Sequence, residues 1–251
     1  MRRIVITGAS GGLAQAVEQL LPEDYLILVG RSMDKLEQLY GNHPNRELIE
    51  LDITDSEALE RFTEECLLKH GPIDILINNA GYGLFEDFDQ ISSRDIEEMF
   101  QVNTFATMNL SRLFAKQMKE VRKGQIINIV SMAGLIASGK STLYSATKFA
   151  VIGFSNALRL ELRPYHVFVT TVNPGPIQTA FFDQADPEGT YLQAVKAYLL
   201  EPEFVAKKIV ASFGTKKREI NLPWLLNLAY KCYTLFPRLG DFLASNLFNY
   251  K

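Results

Sequence analysis

The 251-residue sequence predicts an α/β fold: a single domain built on a doubly wound parallel sheet, in three layers with helices on both faces. Three observations carry this. β-branched runs alternate with longer segments of helical periodicity, the rhythm of right-handed β–α–β crossovers. The runs are apolar throughout, as strands covered on both faces are. No Pro/Gly/Ser-rich linker, composition break or repeat divides the chain.

In order, RIVIT (3–7) reads as a buried strand and LAQAVEQLL (13–21) as the helix after it. YLILVG (25–30) is the second strand, followed by MDKLEQLY with Ser32 placed to cap it. ELIELDI (47–53) precedes a helix running from the capping residue Asp55 to about His70. IDILINN (73–79), GQIINIV (124–130) and VFVTTVN (167–173) bring the strands to at least six, separated by helices over about 93–120 and 142–163. A net charge of −3 without a dense basic run argues against nucleic acid as a partner. The two cysteines, Cys66 and Cys232, read as unpaired, buried thiols. His43, His70 and His166 are scattered without ligand spacing, so no metal is expected. The N-terminus has no apolar run of signal-peptide length, and no stretch of about 18 apolar residues could span a membrane. A cytoplasmic protein is expected.

In such sheets ligands bind beyond the carboxyl ends of the strands. The loop there after the first strand is TGASGGLA (7–14). Gly8 permits a sharp turn, and Gly11 and Gly12 leave room for a pyrophosphate to reach backbone N–H groups at a helix start. A plain glycine-rich turn is the competing reading of this loop alone. Tyr144 and Lys148 in YSATK stand at i and i+4, one turn apart on one helical face, with Ser131 thirteen residues before the tyrosine. A half-buried ring beside a solvated charge is the bland alternative for that pair.

Taken in order, TGASGGLA, NNAG (78–81), Ser131 and YSATK (144–148) resemble the short-chain dehydrogenase/reductase family, in its main single-domain branch with TGxxxGxG and YxxxK motifs. The likeness runs from residue 3 to about 180. One position departs: the last loop glycine is Ala14, which adds a single methyl where helix and strand pack closely. The resemblance implies a Rossmann-type fold binding a nicotinamide dinucleotide through Gly8, Ser10, Gly11, Gly12 and Leu13 of the first loop. It adds Asp52 and Ile53 near the adenine, Asn79, Ala80 and Gly81 of NNAG, and Pro174, Gly175, Ile177 and Thr179 of NPGPIQT. Asp52 could instead cap the following helix.

After the second strand the chain has Gly30, Arg31 and Ser32 where an NAD site usually has an acidic residue. A guanidinium can grip a 2′-phosphate, so NADP(H) is favoured over NAD(H). The resemblance further assigns Ser131, Tyr144, Lys148 and Asn103 as the catalytic set, with Tyr144 and Lys148 also touching the cofactor and Asn103 organising a water behind the lysine. A phenol titrates near 10, and bringing it to neutrality takes about 4 kcal/mol. The Lys148 ammonium and a positive nicotinamide ring are expected to supply that shift. The implied enzyme acts on CH–OH groups with NADP as acceptor, interconverting a carbonyl and an alcohol by hydride transfer. A non-catalytic NADP(H)-sensing or membrane-surface protein on the same fold is the alternative.

Tyr82, Leu84, Phe85, Leu135, Ile136, Phe181 and Phe182 lie on the loops that set specificity in the family, and favour a hydrophobic substrate. Residues 176–251 are expected to form the substrate-side lid and an apolar helical extension. Within it Leu225, Leu228, Cys232 and Leu235 form a helical stripe, resumed by Leu239, Phe242 and Leu243, with Lys216, Lys217, Arg218, Lys231 and Arg238 nearby. Its occupant is open: its own domain, a second subunit of a homodimer or homotetramer, or peripheral contact of 222–250 with a membrane surface.

Overall fold

A computed structural model describes residues 1–238 apart from Asn42, Ala137 and Glu188, so Leu239, Phe242 and Leu243 of the tail stripe lie outside the described residues. The chain runs β1 (Arg3–Thr7), α1 (Gly12–Glu18), β2 (Tyr25–Gly30), α2 (Met33–Tyr40), β3 (Arg46–Glu50), α3 (Ser56–His70) and β4 (Ile75–Asn78). Next come α4 (Ser93–Phe100), a π-helical turn (Gln101–Phe105), α5 (Ala106–Glu120), β5 (Gly124–Ile129), α6 (Thr142–Leu162) and β6 (Val167–Pro174). The remainder is α7 (Phe181–Ala185), α8 (Thr190–Val195), α9 (Pro202–Val210), β7 (Glu219–Leu222) and α10 (Trp224–Leu235).

The seven strands pair in the order β3-β2-β1-β4-β5-β6-β7, all parallel. The Rossmann-type α/β fold is thus as the sequence implied. Period-two alternation explains the unbroken apolar runs. Along β1, Ile4 and Ile6 enter a core with Leu13 and Val17 of α1 and Val205 and Ile209 of α9. Val5 between them faces the other layer, with Leu59 of α3 and Phe114 and Met118 of α5. Strand order reverses direction between β1 and β4, opening a crevice at their carboxyl ends.

Local chemistry sets the helix starts. Ser32 caps α2 by accepting from the Lys35 N–H, Asp55 caps α3 by accepting from Glu57 and Ala58, and Ser92 with Asp95 forms a capping box on α4. The seventh strand was not anticipated: β7 is four residues at a sheet edge, with one buried side chain, Ile220. The cysteines separate. Cys66 is buried in α3, but Cys232 is exposed on α10, because that helix buries no side chain fully. Among the described residues no helix is long and apolar enough to cross a membrane.

Candidate active site

The crevice begins at β1. Gly8 has φ +63°, and a Cβ on it would come 2.7 Å from the Ala80 Cα, so the turn needs glycine. Asn79 fastens this turn to β4: its backbone N–H donates to Thr7 Oγ1, and its Nδ2 donates to the carbonyls of Thr7 and Gly8, each at 3.1 Å. A Cβ on Gly12 would lie 3.0 Å from Thr179 Cγ2, so NPGPIQT closes over the glycine loop. No side chain caps the first turn of α1. Ala14, 1% exposed, is absorbed in the core behind the loop.

The loop opens into a cavity of about 1800 Å³, above the roughly 300–1,000 Å³ of ordinary ligand pockets. At one end stand Arg31, Ser32, Lys35 and Asp52. A side chain at Gly30 would meet Leu36 at 3.1 Å, so the acidic residue of other sites has no place there without repacking. Asp52 accepts from the N–H and Oγ1 of Thr54 at 2.9 and 2.8 Å. Those bonds, helped by the Arg31 charge, hold its carboxyl below the usual range. Asp55 does the capping, so Asp52 is left facing the cavity. The glycine cradle, the uncapped N–H groups and the cations at the far end suit a dinucleotide's pyrophosphate and adenosine half.

At the other end Ser131, Tyr144 and Lys148 meet, each from a different cause. Ser131 follows β5 and caps a 3₁₀ turn, accepting from the Ala133 N–H at 3.0 Å. Tyr144 and Lys148 project from the same face of α6. The lysine Nζ donates to the Ile129 carbonyl at 3.2 Å and lies 5.6 Å from the tyrosine ring centroid. Burial pushes the Tyr144 phenol up to about 12, against a downward pull from its Ser131 hydrogen bond. Burial also pushes Lys148 down to about 8. The expected depression of the phenol by the ammonium is therefore not what this chain alone produces. Both groups share a desolvated floor that penalises either charge.

The short chain dehydrogenase profile matches residues 2–189. The chain belongs to the short-chain dehydrogenase family. It is 34% identical to the 3-ketodihydrosphingosine reductase of Bacteroides thetaiotaomicron, over 98% of this chain and 95% of that one. Among solved structures it resembles a short-chain dehydrogenase from Streptomyces avermitilis, with TM-score 0.81 and 25% identity over 96% of this chain and 99% of that one. It also resembles ElxO with NADP bound, with TM-score 0.79 and 25% identity over 89% and 98% of the respective chains.

Of the residues assigned from the family motifs, the structure brings all to the cavity wall except Asn103. Asn103 sits in the π-helical turn and is 1% exposed. Its Oδ1 accepts from the Tyr82 N–H at 3.0 Å, and its Nδ2 donates to the Tyr82 carbonyl at 2.8 Å and to Thr147 Oγ1 at 3.1 Å. Thr147 in turn donates to the Tyr144 carbonyl at 2.7 Å. So Asn103 clamps the loop after NNAG to α6, the helix that carries Tyr144.

The far wall is aromatic. Phe85 lies 5.7 Å from the Tyr144 ring and stacks on Tyr191 at 4.4 Å; Phe181 lies 5.8 Å from Tyr144. Leu84, Ile136 and Phe182 also line it, while Leu135 turns into the interior. Sequence reasoning missed Lys35, Thr147, Gly83, Tyr191 and the inner side of α10. Lys35 had a signal, standing in the first turn of the helix that Ser32 caps. Gly83 had none: a Cβ there would lie 2.8 Å from Phe181 Cζ, a contact between segments distant in sequence.

Proposed function

We propose that the chain is an NADPH-dependent reductase of a long-chain ketone, of the 3-keto amino-alcohol class named for its Bacteroides relative. The observation that carries it is Tyr144, a phenol that stays protonated at neutral pH at the meeting of the cavity's polar floor and its aromatic wall. A protonated phenol is what reduction needs, since the product alcohol must receive a proton on oxygen.

NADPH, when bound, supplies the hydride. The glycine loop and the first turn of α1 would hold its pyrophosphate, and Arg31 with Ser32 and Lys35 its 2′-phosphate. Ser131 Oγ accepts from the Ala133 N–H and donates at 3.5 Å to the Pro174 carbonyl, a long bond that its proton would exchange for one to the substrate oxygen. Tyr144 delivers the proton to that oxygen. Lys148, anchored by the Ile129 carbonyl, stands by to stabilise the phenolate as it forms. Asn103, through Tyr82 and Thr147, keeps the two sides of the site in register. Phe85, Phe181, Phe182 and Tyr191 exclude water and take the alkyl chain.

The test is NADPH oxidation followed at its own absorbance, with 3-ketodihydrosphingosine and with a short water-soluble ketone, for the native chain and Tyr144→Phe. The native chain should favour the long ketone. The variant should lose about three orders of magnitude in kcat, within the range of a positioned proton donor, while still binding NADPH. Undiminished turnover by the variant would sink the proposal.

A further inference from the structure

Helix α10 has two faces. Leu226, Ala229 and Tyr233 line the cavity. On the opposite side Trp224, Leu228, Lys231 and Leu235, at i, i+4, i+7 and i+11, form one outward line. Trp224 is 73% and Leu235 72% exposed, and Phe236 just beyond the helix is 61% exposed. An apolar line this open is unusual on a free monomer surface.

Charge says what covers it. Between Lys207 and Arg238 there are seven Lys or Arg against one acid, Glu219, in a chain whose net charge is −3. Beside the helix, Lys208, Lys217 and Lys231 converge with Glu219, Asn221 and Asn227 on a shallow cleft of about 320 Å³. None of the three ammoniums has an ion-pair partner among the described residues. Lys208 Nζ lies 5.5 Å from the Phe204 ring, itself 44% exposed.

We propose that this face is a docking surface for an anionic phospholipid bilayer. Trp224, Leu228, Leu235 and Phe236 sink to the headgroup–acyl boundary while the lysine cleft takes headgroup phosphates. An aromatic and aliphatic line flanked by lysines is the composition of a helix that lies in the interface plane. The same helix walls the active site, so an amphiphilic substrate would cross only its thickness. That last step rests on the reductase reading, whereas docking itself requires no turnover.

Trp224 is the chain's single tryptophan, so its emission reports on this face alone. The full chain is mixed with vesicles of phosphatidylcholine, with and without phosphatidylglycerol, and followed by fluorescence and co-sedimentation. Phosphatidylglycerol vesicles should blue-shift the emission and pull the protein down, and raised salt should reverse both. The triple variant Lys208→Glu, Lys217→Glu, Lys231→Glu should weaken partition by roughly 100-fold. Leu228→Asp with Leu235→Asp should weaken it by at least about tenfold. Far-UV circular dichroism and NADPH binding check that each variant is folded. No co-sedimentation with anionic vesicles, or partition that both variants leave unchanged, overturns the proposal. So does a dimer that Leu228→Asp with Leu235→Asp dissolves while no vesicle binding is seen, which would make the face a contact between two copies.

Discussion

Replacing Lys148 by methionine should stabilise this protein while silencing it. Burial lowers the Lys148 pKa from 10.5 to about 8. An unfolded chain therefore holds that proton more tightly, and folding at pH 7 costs on the order of 3 kcal/mol. Methionine is of similar length and carries no charge. Its substitution removes that cost but forfeits the hydrogen bond to the Ile129 carbonyl, worth about 1–1.5 kcal/mol. The net gain is about 2 kcal/mol, or roughly 4–8 °C in Tm for a chain of this length.

The sign of the pH dependence follows from the depressed pKa. Below 8 the cost is full, and it fades between 8 and 10.5 as the unfolded chain also loses the proton. At about pH 9.5 the native protein's cost falls to about 1 kcal/mol, which the lost hydrogen bond cancels. Urea unfolding at both pH values, read by far-UV circular dichroism, should show the variant ahead at pH 7 and level at the higher pH. A variant less stable than the native chain at pH 7, or ahead by the same margin at both, would refute the claim that Lys148 is a buried charge held against its hydration.

Three further outcomes are expected. Arg31→Asp should raise the KM for NADPH by roughly 10–100-fold through loss of charge-assisted bonds and added repulsion, and steady-state kinetics should show NADH gaining on it. Asn103→Ala should cost about 1–3 kcal/mol in urea unfolding by orphaning the Tyr82 N–H and carbonyl, while Asn103→Asp, which keeps the acceptor, should fall between. Gly83→Ala should push Phe181 aside, since the added Cβ has only 2.8 Å. The KM for a long-chain ketone should rise several-fold while that for NADPH holds.

Much of this was legible because parallel strands buried on both faces leave unbroken apolar runs, and the loops after them carry glycines that only a few backbone tasks require. Gly8 illustrates it: its positive φ and the 2.7 Å gap to Ala80 are what TGASGGLA implied. What stayed hidden depended on contacts across the fold. β7 is a short edge strand, so it needs no apolar run. That the Asn103 amide ties Tyr82 to Thr147 is likewise a contact between distant segments, which a sequence does not display. The phenol of Tyr144 was expected to fall in pKa beside Lys148 and a bound nicotinamide; in the protein by itself burial outweighs the lysine, and the dryness of their shared floor is not visible in sequence. The aromatic wall joins Phe85 to Tyr191, a hundred positions apart, and only folding introduces them.

The π-helical turn at Gln101–Phe105 accommodates one residue more per turn than its neighbours on either side. Deleting Gln101 or Val102 would let α4 run into α5 as one ordinary α-helix and would cost the chain nothing in backbone regularity. It would also swing the Asn103 amide around the shaft, away from its three partners. Smoothness and aim are therefore opposed at this point, and a drift toward the more regular helix would show as a straighter protein whose two banks no longer face each other.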